Sequence, residues 1–141
     1  MKKYRIIIVE NDEDEQFFMK KGFDETGLFD ILIQARNGNV LLEWLEEHRP
    51  TLPDVILSDL NMPGKNGYDI LDALKEDPAY ARVPVIITST SSTPSIRDKC
   101  LNKGAADYIV KPETFIEYGP YAQQLHTRIE HKQLVKVGKA S

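Results

Sequence analysis

Two hydrophobic rhythms alternate along this chain. Short apolar runs rich in β-branched residues recur, and between them the apolar positions step at helical spacing. Tyr4–Val9 reads as a strand buried on both faces. Acidic residues 12–15 suit the positive end of a helix, which is predicted to run to about Thr26 with Phe17, Phe18 and Phe23 on its inner side. Ile31, Ile33 and Ala35 alternate, so residues 30–36 form the second predicted strand. Asn37 or Asn39 can cap the next helix, where Val40, Leu41, Trp44 and Leu45 have helical spacing. Pro50 and Pro53 close that connection, and a third strand is predicted over 54–58. A helix follows from about Tyr68 to Lys75, then a strand from Pro84 to Thr88. Residues 94–103 read as a helix ended by Gly104, and Asp107–Val110 as the fifth strand, stopped at Lys111-Pro112. The last helix is predicted over 114–134, with Phe115, Tyr118, Leu125 and Ile129 on one stripe. Pro120 falls inside it, which predicts a kink or a late start.

Five strands alternating with five helices make an α/β fold, a parallel sheet covered on both faces. Right-handed crossovers leave few topologies, and the flavodoxin-like doubly wound order 2-1-3-4-5 is the expected one. One domain is expected over 1–135, with 136–141 as a frayed tail. Composition agrees: 141 residues, 41% hydrophobic and 28% charged, give a packed core rather than disorder. A net charge of −4 argues against nucleic acid as a partner. The apolar run near the N-terminus is too short for a signal peptide or a membrane span, so no membrane partner is expected. The single cysteine, Cys100, forms no internal disulfide and suits a reducing cytoplasm.

The candidate chemistry lies at strand ends. Asp54-Val-Ile-Leu-Ser-Asp59 ends a buried strand in a carboxylate, and Met62-Pro63-Gly64 then forces a turn. Ligands of open α/β sheets bind beside the carboxyl ends of strands. The first strand ends in Glu10-Asn11-Asp12, the fourth in Thr88-Ser89-Thr90, the fifth in Lys111-Pro112. In the predicted order these ends share one crevice. Close carboxylates repel by about 4 kcal/mol at an effective dielectric near 20, which a divalent ion relieves. Oxygen ligands in a shallow, wet site favour Mg²⁺. A metal, an ammonium and a hydroxyl around one carboxylate suit phosphoryl transfer onto it. Asp59 is the candidate nucleophile, Lys111 its charge partner, Ser89 a hydrogen-bond donor.

Ile-Ile-Val-Glu10-Asn11-Asp12, Ser58-Asp59-Leu-Asn61-Met62-Pro63 with Gly67, Pro84-Val-Ile-Ile-Thr-Ser89 and Gly104-Ala-Ala-Asp-Tyr108-Ile-Val-Lys111-Pro112 together resemble the receiver domain of two-component response regulators, over about residues 4–134. The resemblance implies that Asp59 takes phosphate from a histidine kinase or a phosphotransfer protein. It implies that Ser89 is the switch hydroxyl, five residues after Pro84 and 22 before Lys111, with Thr88 a rival one residue early. It implies that Tyr108 is the aromatic that swings inward, that the Asn61 carbonyl and the Glu10–Asn11 pair serve the metal with Asp59, and that Lys111-Pro112 is a cis peptide. Most receivers have two acids where Glu10 and Asn11 stand; Asn11 offers an oxygen without charge, which lowers the expected Mg²⁺ affinity unless Asp12 compensates. No effector segment is read in the chain, so the signal is expected to leave through another protein at the face of helix 4, strand 5 and helix 5, including Tyr118 if it is exposed. Beyond accepting phosphate and slowly losing it, no enzyme activity is expected.

Plainer readings stand beside these. Glu13, Asp14 and Glu15 read as a solvated helix start, Trp44 as packing, and His48, His126 and His131 as surface residues. An alternative function is a pseudo-receiver that binds proteins without phosphate, suggested by Asn11. A flavin carrier of the same fold needs a phosphate-binding loop after strand 1, where Glu10–Glu15 is acidic. An aspartyl phosphatase usually has a second acid two residues after the nucleophile, where this chain has Asn61.

Overall fold

The computed structural model describes residues 2–135. The tail expected over 136–141 lies outside the described residues. Five strands, β1 (Tyr4–Val9), β2 (Phe29–Ala35), β3 (Val55–Asp59), β4 (Val85–Ser89) and β5 (Asp107–Val110), form one sheet in the order β2-β1-β3-β4-β5. Every pairing is parallel, as expected. The helices are α1 (Glu13–Thr26), α2 (Gly38–Glu47), α3 (Gly67–Glu76), α4 (Pro94–Asn102) and α5 (Tyr118–Lys132). β3 and β4 end one residue later than the sequence predicts, so Asp59 and Ser89 are the last residues of their strands.

The sheet separates two cores. On one face Ile6, Ile8, Val55, Leu57 and Ile86 pack with Met19 and Phe23 of α1 and Leu125 and Ile129 of α5. On the other, Ile7, Val9, Ile56, Val85 and Ile87 pack against α2, α3 and Cys100 of α4. β1 and β3 are shielded on both faces, which is why their sequences are apolar without alternation. Caps fix where the helices begin. Asp12 accepts from the Glu15 amide, Asn37 from Val40, and Asn66 forms a reciprocal capping box with Asp69. Gly64, at φ 75°, makes the turn that Met62-Pro63-Gly64 foretells.

Four expectations are corrected here. Phe17 is 63% exposed, because the inward stripe of α1 passes through Glu15, Met19, Gly22 and Phe23 instead. The last helix does not begin at 114: a 3₁₀ turn covers Phe115–Glu117 and α5 starts at Tyr118. Pro120 thereby falls in the first helical turn, where its missing N–H costs nothing. His126 is buried between Tyr4 and Phe29, its ring nitrogen bonded to the Lys2 carbonyl at 2.6 Å. The Lys111–Pro112 peptide is trans, as are all described peptide bonds.

Candidate functional site

The parallel register lines up the carboxyl ends of four strands. Glu10 N–H donates to the Ala35 carbonyl at 2.9 Å, Leu60 N–H to Thr88 at 3.0 Å, and Lys111 N–H to Ser89 at 2.8 Å. Asp59 pairs with Thr88 across β3 and β4, and Ser89 with Val110 across β4 and β5. Glu10, Asp59, Ser89 and Lys111 therefore stand at one edge, as the strand order predicts.

The Lys111 ammonium is the centre of this edge. Its Nζ lies 2.9 Å from Glu10 Oε1, 3.2 Å from Asp59 Oδ1 and 3.2 Å from Glu15 Oε2. No side chain of the four is more than 10% exposed. Three carboxylates face one ammonium, and with all ionised the cluster carries −2. Burial raises the pKa of Asp59; Lys111 and the Asn61 amide oppose that rise, and Glu15 adds to it. Burial likewise raises Glu10, against the pull of Lys111. Burial works against the charged form of Lys111, but the carboxylates outweigh it and its pKa is raised. The lysine stays charged and relieves only part of the burden on Glu10 and Asp59, whose pKa values stay raised.

Glu15 was read as solvated, and this is corrected: it is buried and joins the cluster. Its second partner is Tyr118, whose hydroxyl donates to Glu15 Oε2. Tyr118 is buried as well, so it belongs to no exposed face. Burial, then Glu15, raises its pKa far above the phenol range. The sequence does contain the signal for Glu15. It precedes Met19, Gly22 and Phe23 by four, seven and eight residues, which puts it on the buried stripe of α1.

The other site residues divide clearly. The Thr88 hydroxyl is engaged elsewhere, donating to the Ile109 carbonyl at 2.8 Å and accepting from Tyr121 at 2.7 Å. Ser89 is buried at the strand end, and its Oγ accepts from the Ser91 amide at 3.2 Å. Tyr108 is already buried, its hydroxyl donating to the Ser91 carbonyl at 2.6 Å. Asp12 is spent on capping α1 and does not join the cluster. Asn11 is exposed.

Glu10 and Asp59 bring carboxylate oxygens and excess negative charge to this edge, a chemistry that suits a hard divalent cation. Among the described residues, no three His, Cys, Asp or Glu side chains already converge on a common metal position; the carboxylates converge on Lys111.

A family model described as the response regulator receiver domain matches residues 6–118. The chain belongs to this family of receiver domains. A Vibrio cholerae protein named a probable cyclic di-GMP phosphodiesterase is 30% identical over 128 residues, 91% of this chain and 27% of its own length. A rice protein, two-component response regulator ORR12, is 42% identical over 64 residues, 45% of this chain and 53% of its own. The receiver thus spans between about a quarter and half of the length of these curated relatives. The crystal structure of a response regulator receiver domain from Rhodospirillum rubrum is 26% identical with a TM-score of 0.77, covering 94% of this receiver and 98% of that chain.

Proposed function

We propose that this receiver is a phosphoacceptor switch in a two-component relay, one unit over residues 1–135. The observation that carries the reading is the buried Asp59–Lys111 pair, 3.2 Å apart at the ends of β3 and β5, which flank β4. A histidine kinase or phosphotransfer protein supplies a phosphohistidine. An Asp59 carboxylate oxygen forms the new O–P bond as the P–N bond breaks, and the imidazole leaves with that electron pair, its other nitrogen protonated. Lys111 meets the charge on the phosphoryl oxygens, and Ser89 donates its hydroxyl to one of them. Glu10, Asp59, the Asn61 carbonyl and Asn11 would hold Mg²⁺, which when bound supplies further neutralisation of that charge. The chain turns over no separate substrate; it takes the group and slowly loses it to water. Its partner on the output side is a protein that reads α4, β5 and α5, where Val110 stands exposed. The one thiol, Cys100, is buried and free, which suits a cytoplasmic setting.

Incubation with phosphoramidate and Mg²⁺ tests this by intact-mass spectrometry. One phosphoryl group is expected on the wild type and none on Asp59→Asn. Asn11→Asp is expected to lower the Mg²⁺ concentration required by about fivefold, the effect of one added charge at a partly exposed site. A phosphate-independent interaction module is the second reading, favoured by Asn11 and by a lysine already paired with three carboxylates. Unlabelled wild type with Mg²⁺ in excess selects that reading.

A further inference from the structure

An ammonium has three N–H donors. In this receiver Lys111 donates to Glu10 and Glu15 and lies 3.2 Å from Asp59 Oδ1 in a third ion pair. A phosphoryl oxygen on Asp59 has to compete with the two glutamates for the ammonium. Asp59 carries the phosphoryl group, so it stays at the centre. Glu10 is the deepest acid, at 2% exposure, and is tied a second time, Oε2 accepting from the Asp12 amide at 3.1 Å. Glu15 differs from both. It is the third residue of α1, where a glutamate after an aspartate cap often turns back to the cap's amide. Here that amide belongs to Glu10, so Glu15 reaches across to β5 and α5. If it loses Lys111 it still has the Tyr118 hydroxyl, and no buried carboxylate is left without a partner.

We propose that Glu15 is a positioning residue that holds Lys111 in the resting receiver and yields it to the phosphoryl group, and that Tyr118 stabilises Glu15 once it has yielded. This rests on reading Asp59 as the phosphoacceptor. The proposal makes two conservative changes act in opposite directions. Glu15→Gln removes the competing charge, so Lys111 is free for the phosphoryl group. Tyr118→Phe removes the hydroxyl that receives Glu15, so yielding becomes harder.

The test measures the apparent dissociation constant for beryllofluoride, a phosphoryl mimic, at fixed excess Mg²⁺. Phosphoramidate labelling and the NMR signal of the Lys111 NζH₃ group are recorded alongside. Glu15→Gln is expected to tighten the mimic about fivefold, the effect of one charge removed from a partly solvated cluster. Tyr118→Phe is expected to weaken it by a similar factor, and in the double variant the Tyr118→Phe effect should shrink toward none. The Lys111 signal of the free protein should shift in Glu15→Gln. A merely structural Glu15 predicts weakening in both single variants, and that result overturns the proposal. Equal affinity of Glu15→Gln and wild type overturns it too. If Tyr118→Phe does not fold, by circular dichroism, Glu15→Gln alone decides. Wild type that labels while Glu15→Gln gains nothing defeats this inference and leaves the proposed function standing. Wild type that does not label overturns both.

Discussion

Asp59 is placed where it costs the fold. Three buried carboxylates share one ammonium, and burial, with repulsion from Glu15 added, holds Asp59 above its ordinary pKa. A group with a raised folded pKa gives stability only in acid, and that stability is lost as pH rises through the folded value. At neutral pH ionised Asp59 is therefore a burden. Removing its charge leaves Lys111 with Glu10 and Glu15, still fully paired. Asp59→Asn should stabilise the protein at pH 7 by about 1 kcal/mol, a melting-temperature rise of about 2–4 °C for a domain of this size. A melt of both proteins at pH 7 checks this, and a lower melting temperature for the variant would show that the Asp59–Lys111 attraction outweighs the repulsion. Most of this constellation is legible in the sequence because strand-end residues are ordered by topology. Asp59, Lys111, Glu10 and Ser89 each follow an apolar run that ends abruptly. Glu15 was missed because a run of four acids at a helix start looks like solvent-facing charge, and only the helical phase separates Glu15 from Glu13 and Asp14. The burial of Tyr118 was missed for another reason: it depends on how closely α1 and α5 approach, which no local pattern reports.

That approach is set by one residue. A Cβ on Gly22 of α1 would lie 2.5 Å from the Tyr118 carbonyl carbon and 2.6 Å from the Gly119 nitrogen. Both are backbone atoms at the start of α5, so no side chain can swing aside. Gly22→Ala must push the helices apart, with an expected cost of about 2–3 kcal/mol, typical of overpacking. It should also loosen the Tyr118–Glu15 bond, since the displaced residue is Tyr118 itself. Denaturant unfolding measures the first effect; an unchanged midpoint would show that the seam yields freely. β5 and α5 have a second tie. Asp107 is buried and takes Arg128 in a two-pronged pair, both contacts 2.8 Å, with Lys132 at 3.2 Å. Burial opposes the charged form of Asp107, but Arg128, the Tyr108 amide and Lys132 prevail and its pKa is lowered. A lowered carboxyl pKa contributes stability above the unfolded value, near 4, and that stability fades as pH falls through the folded value. Asp107→Asn should therefore destabilise at pH 7 by about 1–2 kcal/mol, discounted because the Arg128 side chain is partly exposed. The gap between variant and wild type should narrow below pH 4 in urea titrations; a gap that is constant with pH would assign the loss to packing instead. The elements themselves were legible because two-sided burial and capping residues mark them locally. The late start of α5 was half legible, since Pro120 foretold an irregularity but not a 3₁₀ turn before it.

At the scale of the whole molecule the question is how charge on Asp59 reaches a distant face. The resemblance implies that Tyr108 swings inward, but Tyr108 is already inside. The connection is a chain of hydrogen bonds through Ser91. Ser89 Oγ accepts from its amide, and the Tyr108 hydroxyl donates to its carbonyl. One peptide segment is thus held from both sides, by Ser89, the residue proposed to bond the phosphoryl group, and by the aromatic of β5. If the Ser89 side chain rotates to donate to a phosphoryl oxygen, its Oγ moves off the Ser91 amide, which then loses its acceptor. Ser91 and its neighbours are then expected to shift, with Tyr108 following its bonded carbonyl. A partner that binds one arrangement better completes the signal, because differential affinity is all that population shift requires. Ser89→Ala separates acceptance from transmission: Asp59 and Lys111 are intact, while Ser91 has no hydroxyl at residue 89 to lose. The variant should still be labelled on Asp59, yet its amide shifts across residues 90–120 on adding beryllofluoride should fall well below those of wild type. NMR spectra of both proteins, with and without the mimic, decide the matter. If wild-type amides in that range do not move, the α4–β5–α5 face carries no signal, and the receiver's role becomes that of a relay passing its phosphoryl group onward.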